Sequence, residues 1–418
     1  MKFSQLAETL KGSEIVKLAG EIREKMQKGE TIYNFTIGDF DPKIFPIPDR
    51  LKDRILQAYK ENFTNYPAAD GELELRKAVS NFIREKENLD YNTNEILIAA
   101  GGRPLIYTIY RTIVDKGEKV IYAVPSWNNN HYVHFLDGEH CVIEATPENN
   151  FMPTAASIAP HIKGATLLAL CSPQNPTGTT FSREALTEIC DLVIEENKRR
   201  GEGEKKLYIL FDQIYWTLTY SNTVHYNPVS LRPELKDYTI FVDGISKAFA
   251  ATGVRVGWSM GPAPVIAKMK AILSHLGAWS PMAEQKATAA FLNQMNEVDE
   301  FLSRFKKELE ERLVRIYQGL TALKNEGFAI DAIAPQAAIY LTVKMDLVGK
   351  STKEGRKLEK QSDVTSYILD QAKIALVPFY CFGGSENSPW YRLSVGTCKL
   401  EEIEKMLGQL KDALSSLS

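Results

Sequence analysis

Short, nearly continuous apolar runs alternate with segments of helical character from about residue 46 to residue 290. Five of these runs are rich in Val, Ile, Leu, Phe and Tyr, and they lie at residues 95–100, 119–124, 165–170, 207–211 and 238–242. Such runs are typical of strands that are covered on both faces. The helical segments between them predict crossover connections, and therefore an α/β domain with a mostly parallel sheet.

The pattern changes after this region. Apolar residues recur at steps of three and four from Phe301 to Leu323, with Lys, Glu and Arg between them. This periodicity predicts a long amphipathic helix that connects two domains. The runs at 339–343 and 391–395 predict strands of a smaller α+β domain.

The first 30 residues are predicted to form a polar amphipathic arm, followed by a short strand at 31–38 and a proline-rich loop. We therefore expect three parts. Residues 1–45 form the arm and part of the small domain, residues 46–295 form the large domain, and residues 296–418 form the interdomain helix and the small C-terminal domain.

Composition excludes several classes of protein. The 418 residues include 50 basic and 53 acidic side chains, and the formal net charge of −3 creates no field that would attract nucleic acid or an anionic membrane. Five scattered cysteines form no CxxC pair and six histidines show no HExxH spacing, so neither a disulfide framework nor a metal site is predicted. The start of the chain is too polar for a signal peptide, and no apolar run approaches the ~18 residues that span a bilayer. We expect a cytoplasmic protein.

The most informative segment is DGISKAFAATGVRVGW at residues 243–258, which places Lys247 eight residues before Arg255 with glycines on either side. A lysine amine condenses with aldehydes, and its pKa falls readily when it is desolvated. An arginine fork bonds two phosphate oxygens at once. A single lysine after a strand is more often a surface residue, so the interpretation depends on further segments.

Three other segments place polar or glycine residues just after predicted strands. They contain Gly101, Gly102 and Arg103 (AAGGR), Asn175 (SPQNPTG), and Asp212 and Tyr215 (FDQIY). Backbone N–H groups at the start of a helix can cradle a phosphate. Each segment alone has a commoner explanation, as a simple turn, an Asn-Pro turn or a helix N-cap.

The four segments, taken in their order along the chain, resemble the motifs of class I/II aminotransferases of fold type I. The resemblance covers roughly residues 30 to 400 and is strongest to the bacterial aspartate aminotransferase branch. The resemblance implies an α/β fold with a mostly parallel seven-stranded sheet in the large domain. It also implies pyridoxal 5′-phosphate, bound to Lys247 as a Schiff base. The family usually has Glu where Gln213 stands, and many members have Ser in place of Gly244.

The resemblance implies a role for each matching residue. Asp212 would pair with the pyridine nitrogen, which makes the ring an electron sink, and Asn175 and Tyr215 would bond its phenolic oxygen. The other cofactor contacts implied are Gly101, Gly102, Arg103, Trp127, Ser246, Arg255 and, toward the neighbouring subunit of a homodimer, Tyr66. The substrate contacts implied are Gly38, Arg103, Trp127, Asn175 and Arg392, of which Arg392 would clamp the α-carboxylate.

The implied reaction is a ping-pong transfer of an amino group between an L-amino acid and a 2-oxo acid, with Lys247 as general base and acid. Arg103 stands where the branch has a lysine that meets the distal carboxylate of a dicarboxylic substrate, so aspartate or glutamate is the expected donor. Pro104 and the polar run at 128–130 depart from that branch. An aromatic or other amino-acid donor, a lyase reaction on the same scaffold, and a non-enzymatic regulator remain alternatives.

Overall fold

Strands and helices alternate along the chain, and the computed structural model describes residues 2–10, 12 and 14–418. The strands are β1 (Tyr33–Asn34), β2 (Ile96–Ala99), β3 (Lys119–Val124), β4 (Glu139–Glu144), β5 (Ala165–Cys171), β6 (Tyr208–Asp212), β7 (Thr239–Gly244), β8 (Gly257–Met260), β9 (Ile330–Ala332), β10 (Tyr340–Met345), β11 (Ile374–Ala375), β12 (Val377–Pro378) and β13 (Trp390–Ser394).

The helices are α1 (Gln5–Thr9), α2 (Glu14–Gln27), α3 (Asp49–Lys60), α4 (Leu73–Glu87), α5 (Gly102–Ile113), α6 (Asn129–His134), α7 (Ala155–Ile158), α8 (Arg183–Arg199), α9 (Pro228–Leu231), α10 (Ile245–Ala248), α11 (Ala263–Leu276), α12 (Met282–Leu292), α13 (Met295–Asn325), α14 (Gln361–Tyr367) and α15 (Ile403–Ser415). None of these helices is long and apolar enough to cross a membrane.

A seven-stranded sheet in the order β2-β8-β7-β6-β5-β3-β4 lies at the centre of the region predicted as the large domain. Only β8 runs antiparallel to its neighbours, so the predicted mostly parallel sheet of an α/β fold is confirmed. The five predicted apolar runs correspond to β2, β3, β5, β6 and β7. Their residues are almost all buried because helices cover both faces of the sheet.

The C-terminal part is built around a second, antiparallel sheet in the order β12-β13-β10-β9. The predicted connecting helix is α13, which is 31 residues long and buries one apolar face, including Phe301, Phe305 and Leu309. The strand expected at 31–38 is shorter than predicted, because β1 has only two residues, and it pairs in parallel with β11.

The arm packs on the C-terminal part of the chain through apolar contacts and ion pairs. Ile22 and Ile32 are buried together with Leu369. The Lys25 amine lies 2.7 Å from the carboxylate of Asp370. This packing fixes the position of the segment that follows the arm, which lies between the C-terminal part and the large sheet.

The carboxyl ends of the central parallel strands meet at one edge of the large sheet. Cys171 at the end of β5 is paired in register with Asp212 at the end of β6, and β7 ends next to β6 at Gly244. Ligands of open parallel sheets bind in the crevice outside this edge. The chain places its polar motif residues here.

Candidate active site

A cavity of about 420 Å³ opens at this edge, between the large sheet and the C-terminal part. The residues implied by the sequence motifs that line it are Gly38, Gly102, Arg103, Trp127, Asn175, Asp212, Tyr215, Ser246, Lys247, Arg255 and Arg392. Gly101 directly precedes the first residue of α5, Gly102. Tyr66 lies elsewhere: its side chain is 83% exposed, and its ring packs edge-on against Trp279.

Lys247 lies on the short helix α10, directly after β7, and its side chain reaches into the cavity. Its amine donates a hydrogen bond to the carbonyl of Gly38 at 2.6 Å. Burial lowers the pKa of Lys247 to about 8, an effect that the negative charge of Asp39 opposes and the charge of Arg392 reinforces. A substantial neutral fraction of the amine is therefore present near neutral pH, and the neutral form is the nucleophile toward a carbonyl group.

Asp212 presents a carboxylate to the cavity from the end of β6. It accepts a hydrogen bond from the backbone N–H of Ile214 at 3.1 Å, and no lysine or arginine in the described part of the chain forms an ion pair with it. Burial raises the pKa of Asp212 to about 6. A carboxylate in this situation stabilises a cationic group that enters the cavity, because such a group supplies the missing counter-charge.

The guanidinium of Arg392 is held between the rings of Tyr340 and Phe382, at 4.7 and 4.9 Å from their centroids. It donates to the side-chain oxygen of Asn175 at 3.0 Å and to the carbonyl of Thr36 at 2.7 Å. Both acceptors are neutral, and the Nε–H group has no hydrogen-bond partner in the described part of the chain. This buried cation is therefore prepared to bind an anion.

Tyr215 projects its hydroxyl toward the same region and shares a hydrogen bond of 2.6 Å with the hydroxyl of Tyr340. Burial raises the pKa of Tyr215, so it remains a neutral hydroxyl. The sequence motifs did not identify Tyr340, because the run 339–343 only predicted a strand. The tyrosine at its second position shows no local sign of facing the cavity.

The start of α5 and the guanidinium of Arg255 form a cradle for an anion. Gly101 has φ of +84°, and a Cβ atom at this position would collide with the guanidinium of Arg255. A Cβ atom at Gly257 would lie 2.7 Å from the carbonyl carbon of Gly101. Glycine is needed at both positions because backbone and guanidinium approach so closely, and the free N–H groups and positive charge suit a phosphate.

Arg103 follows Gly102 on α5, and its guanidinium lies over the ring of Trp127 at 5.3 Å from the centroid. Both side chains line the cavity, together with Asn129. Asn129 accepts a hydrogen bond from the hydroxyl of Tyr110 at 3.0 Å. It was not among the predicted site residues, since the run 128–130 suggested only a polar loop.

Further lining residues were not among the predicted site residues. They include Ile15 and Ala19 of α2, Asp39 after Gly38, and Thr252 between Lys247 and Arg255. Asp39 and Thr252 adjoin motif residues, which is the only local signal for them. Ile15 and Ala19 had none, because their position depends on how the arm packs against the rest of the protein.

Comparisons with known proteins agree with this geometry. The sequence model of the family "Aminotransferase class I and II" matches residues 30–410. The chain is 28% identical over 414 residues to a Rickettsia felis protein named "Probable aspartate/prephenate aminotransferase", covering 98% of this chain and 96% of the relative. The crystal structure of the aspartate aminotransferase from Rhizobium meliloti superposes with a TM-score of 0.91 at 26% identity, covering 100% of both chains.

A third similar protein is the aspartate aminotransferase from Thermus thermophilus, whose structure was determined with maleate. It superposes with a TM-score of 0.87 at 25% identity, covering 99% of this chain and 100% of that one. Both superpositions cover nearly the whole of each chain, so the similarity concerns the whole architecture. The chain belongs to the class I and II aminotransferase family.

Proposed function

We propose that this aminotransferase uses pyridoxal 5′-phosphate held by Lys247 and takes aspartate or glutamate as its amino donor. The observation that carries the proposal is the convergence on one cavity of a lysine with a lowered pKa, three arginines, and a carboxylate that forms no ion pair within residues 2–10, 12 and 14–418. These groups are Lys247, Asp212, Arg103, Arg255 and Arg392.

The residues of the cavity fit the cofactor at each of its polar groups. The N–H groups at the start of α5 and the guanidinium of Arg255 suit the phosphate. The carboxylate of Asp212 suits a protonated ring nitrogen, because it lacks a cationic partner in the described chain. Asn175 and Tyr215 offer hydrogen-bond donors for the ring oxygen, and Trp127 offers an aromatic surface. When bound, the cofactor supplies a ring that withdraws electrons from the α-carbon of the substrate.

The side chains of the chain itself bind the substrate and move its proton. Arg392 offers two N–H groups to the α-carboxylate that every amino acid carries. Lys247 would take the proton from the α-carbon of the substrate and later release it, acting first as a base and then as an acid. A pKa of about 8 suits this exchange, because both protonation states are populated near neutral pH.

The preference for a dicarboxylic substrate follows from the charges of the cavity. Its lining residues in the described chain include four cations, namely Lys247, Arg103, Arg255 and Arg392, but only two carboxylates, Asp39 and Asp212. Arg255 serves the phosphate and Arg392 the α-carboxylate, so Arg103 is left for a second carboxylate. Maleate, the molecule named with the similar Thermus thermophilus protein, is itself a dicarboxylate.

We further propose that the protein forms a homodimer in which Tyr66 contacts the cofactor phosphate of the neighbouring subunit. Tyr66 and nearby apolar side chains are exposed in the single chain, including Tyr59 and Leu276, both at 48%. Exposed apolar groups of this kind are typical of an interface between subunits. Light scattering of the purified protein should give twice the mass of one chain.

The substrate preference is tested with Arg103→Met, using Arg111→Met, an exposed residue of the same helix, as the matched control. We expect kcat/KM for aspartate to fall roughly 100-fold, as for the loss of one or two charge-assisted hydrogen bonds. The value for phenylalanine should be nearly unchanged. If both values fall together, Arg103 serves the phosphate, and if the wild type prefers phenylalanine, the dicarboxylate preference is wrong.

The cofactor site is tested with Lys247→Ala, using Lys268→Ala, an exposed residue of α11, as the control. The wild type and the control should show the visible absorption band of a lysine-bound cofactor, whereas Lys247→Ala should lack both the band and turnover. A variant that kept the band would show that another lysine holds the cofactor.

A further inference from the structure

Asp39 is a carboxylate in the active-site cavity to which the proposed chemistry assigns no role. The phosphate and the carboxylates proposed as ligands are all anions. A second carboxylate in the cavity, in addition to Asp212, weakens their binding through like-charge repulsion. Its presence therefore calls for a function that offsets this cost.

The carboxylate of Asp39 is anchored by two hydrogen bonds. Its Oδ1 atom accepts from the hydroxyl of Thr252 at 2.6 Å and from the backbone N–H of Phe40 at 2.8 Å. The carbonyl of Thr252 in turn accepts from the guanidinium of Arg255 at 2.5 Å. Asp39 thus links the segment after the arm to the part of the large domain that carries Lys247 and Arg255.

The C-terminal part holds the same segment from the opposite side. The backbone N–H of Asp41 donates to the carbonyl of Gly396 at 2.9 Å. A Cβ atom at Gly396 would collide with the carbonyl oxygen of Asp39, so the two backbones are in close contact. Asp39 lies where both halves of the protein meet, and its side chain provides the contact on the large-domain side.

The residue before Asp39 touches the reactive groups directly. The carbonyl of Gly38 accepts the hydrogen bond from the Lys247 amine at 2.6 Å. A Cβ atom at Gly38 would lie 2.8 Å from the hydroxyl of Tyr340 and 3.4 Å from a terminal nitrogen of Arg392. The position of this peptide therefore affects both the amine and the proposed carboxylate-binding arginine.

The charge of Asp39 also acts on the amine through space. It raises the pKa of Lys247, against the larger lowering by burial and the smaller ones by Arg392, Arg103 and Arg255. The rings of Phe40 and Tyr215 lie 5.7 and 5.8 Å from the same amine. Among the charged groups of the described chain that act on the amine, Asp39 is the carboxylate whose charge opposes deprotonation.

We propose that Asp39 is a positioning residue: anchored on Thr252, it holds Gly38 against the Lys247 amine and places a negative charge near the lysine nitrogen. The inference rests on the proposed attachment of the cofactor to Lys247. It assigns to Asp39 control over the lysine nitrogen and over the substrate-binding peptide, with no direct part in the chemistry.

The charge is tested with Asp39→Asn, which preserves the shape of the side chain. The measurement is the midpoint of the pH titration of the visible band of the lysine-bound cofactor. We expect the midpoint to fall by about one pH unit, as for the loss of a nearby opposite charge. Asp41→Asn is the matched control, since its carboxylate accepts from the exposed backbone N–H of Lys43 at 2.9 Å, and its midpoint should equal that of the wild type.

The anchor is tested with Thr252→Val, which removes the hydroxyl, and Thr252→Ser, which keeps it. We expect Thr252→Val to raise KM for the amino donor about tenfold with a smaller change in kcat, because one hydrogen bond to a charged group is lost and the peptide of Gly38 shifts. Thr252→Ser should behave as the wild type.

The outcomes distinguish the electrostatic role of Asp39 from its anchoring role. An unchanged midpoint in Asp39→Asn overturns the electrostatic role, and equal KM values in the two Thr252 variants overturn the anchoring. If Asp39→Asn fails to fold or to take up the cofactor, the comparison of the Thr252 variants decides. Retention of the visible band in Lys247→Ala would instead contradict the proposed cofactor site, so the two failures are distinguishable.

Discussion

Replacing Arg392 with leucine should abolish most activity while leaving the protein stable. The side chain is 2% exposed, and its donors meet only neutral oxygens of Asn175 and Thr36. No carboxylate in the described part of the chain forms an ion pair with it. In the proposed role of Arg392, its charge is therefore fully compensated only when a carboxylate of the substrate is bound.

The expected magnitude follows from this environment. Removing one partner of a buried ion pair costs about 3–5 kcal/mol, which corresponds to a loss of roughly 10²- to 10⁴-fold in kcat/KM. The conservative variant Arg392→Lys keeps the charge but loses one charge-assisted hydrogen bond, about 1.5–3 kcal/mol, so the loss should be roughly 10- to 100-fold. The free energy of unfolding should change little. Leucine avoids the cost of burying a charge, and this gain offsets the cost of leaving the oxygens of Asn175 and Thr36 without a donor.

The assay is kcat/KM for aspartate, glutamate and phenylalanine in the wild type, both variants and Arg183→Leu, an exposed control at the start of α8. All three substrates should lose activity by a similar factor, because each carries an α-carboxylate. Urea unfolding should show midpoints close to that of the wild type. A loss confined to aspartate and glutamate would show that Arg392 reads the side chain, and a strongly lowered unfolding midpoint would show a mainly structural role.

Three other variants test separate features of the structure. Arg255→Leu should weaken cofactor binding roughly 10- to 100-fold for each charge-assisted bond lost, and dialysis should remove the cofactor from the variant faster than from the wild type. Gly178→Ala should lower the free energy of unfolding, measured by denaturant titration, by about 1–3 kcal/mol. Gly178 has φ of +70°, and the added Cβ atom would collide with the carbonyl oxygen of Tyr340. Burial, reinforced by the charge of Asp243, raises the pKa of Glu87 well above 4.5. The contribution of Glu87 to the free energy of unfolding should therefore fall as pH rises above 4.5, and the unfolding midpoint of the wild type should fall relative to that of Glu87→Gln over that range.

The strands that the apolar pattern predicted are those that lie inside the large sheet or are covered by helices. It missed β4, which lies at the sheet edge and exposes Glu139, His140 and Glu144 to solvent, so no apolar run marks it. It also missed β8, a four-residue strand with the sequence GWSM. The periodicity of α13 was found between Phe301 and Leu323, whereas the helix begins at Met295, in a stretch with only Val298 buried.

Local sequence determined the chemistry of the site, because reactive residue types at the ends of buried strands form short motifs. Lys247, Asp212, Asn175 and Arg255 each lie within a few residues of the strand or turn that positions them. The direct contact of residues distant in sequence was decided only by the tertiary structure. Lys247 and Gly38 are 209 residues apart, and no local pattern encodes the hydrogen bond between them. It arises because the arm packs on the C-terminal part, and that packing brings Gly38 and Asp39 to the edge of the large sheet.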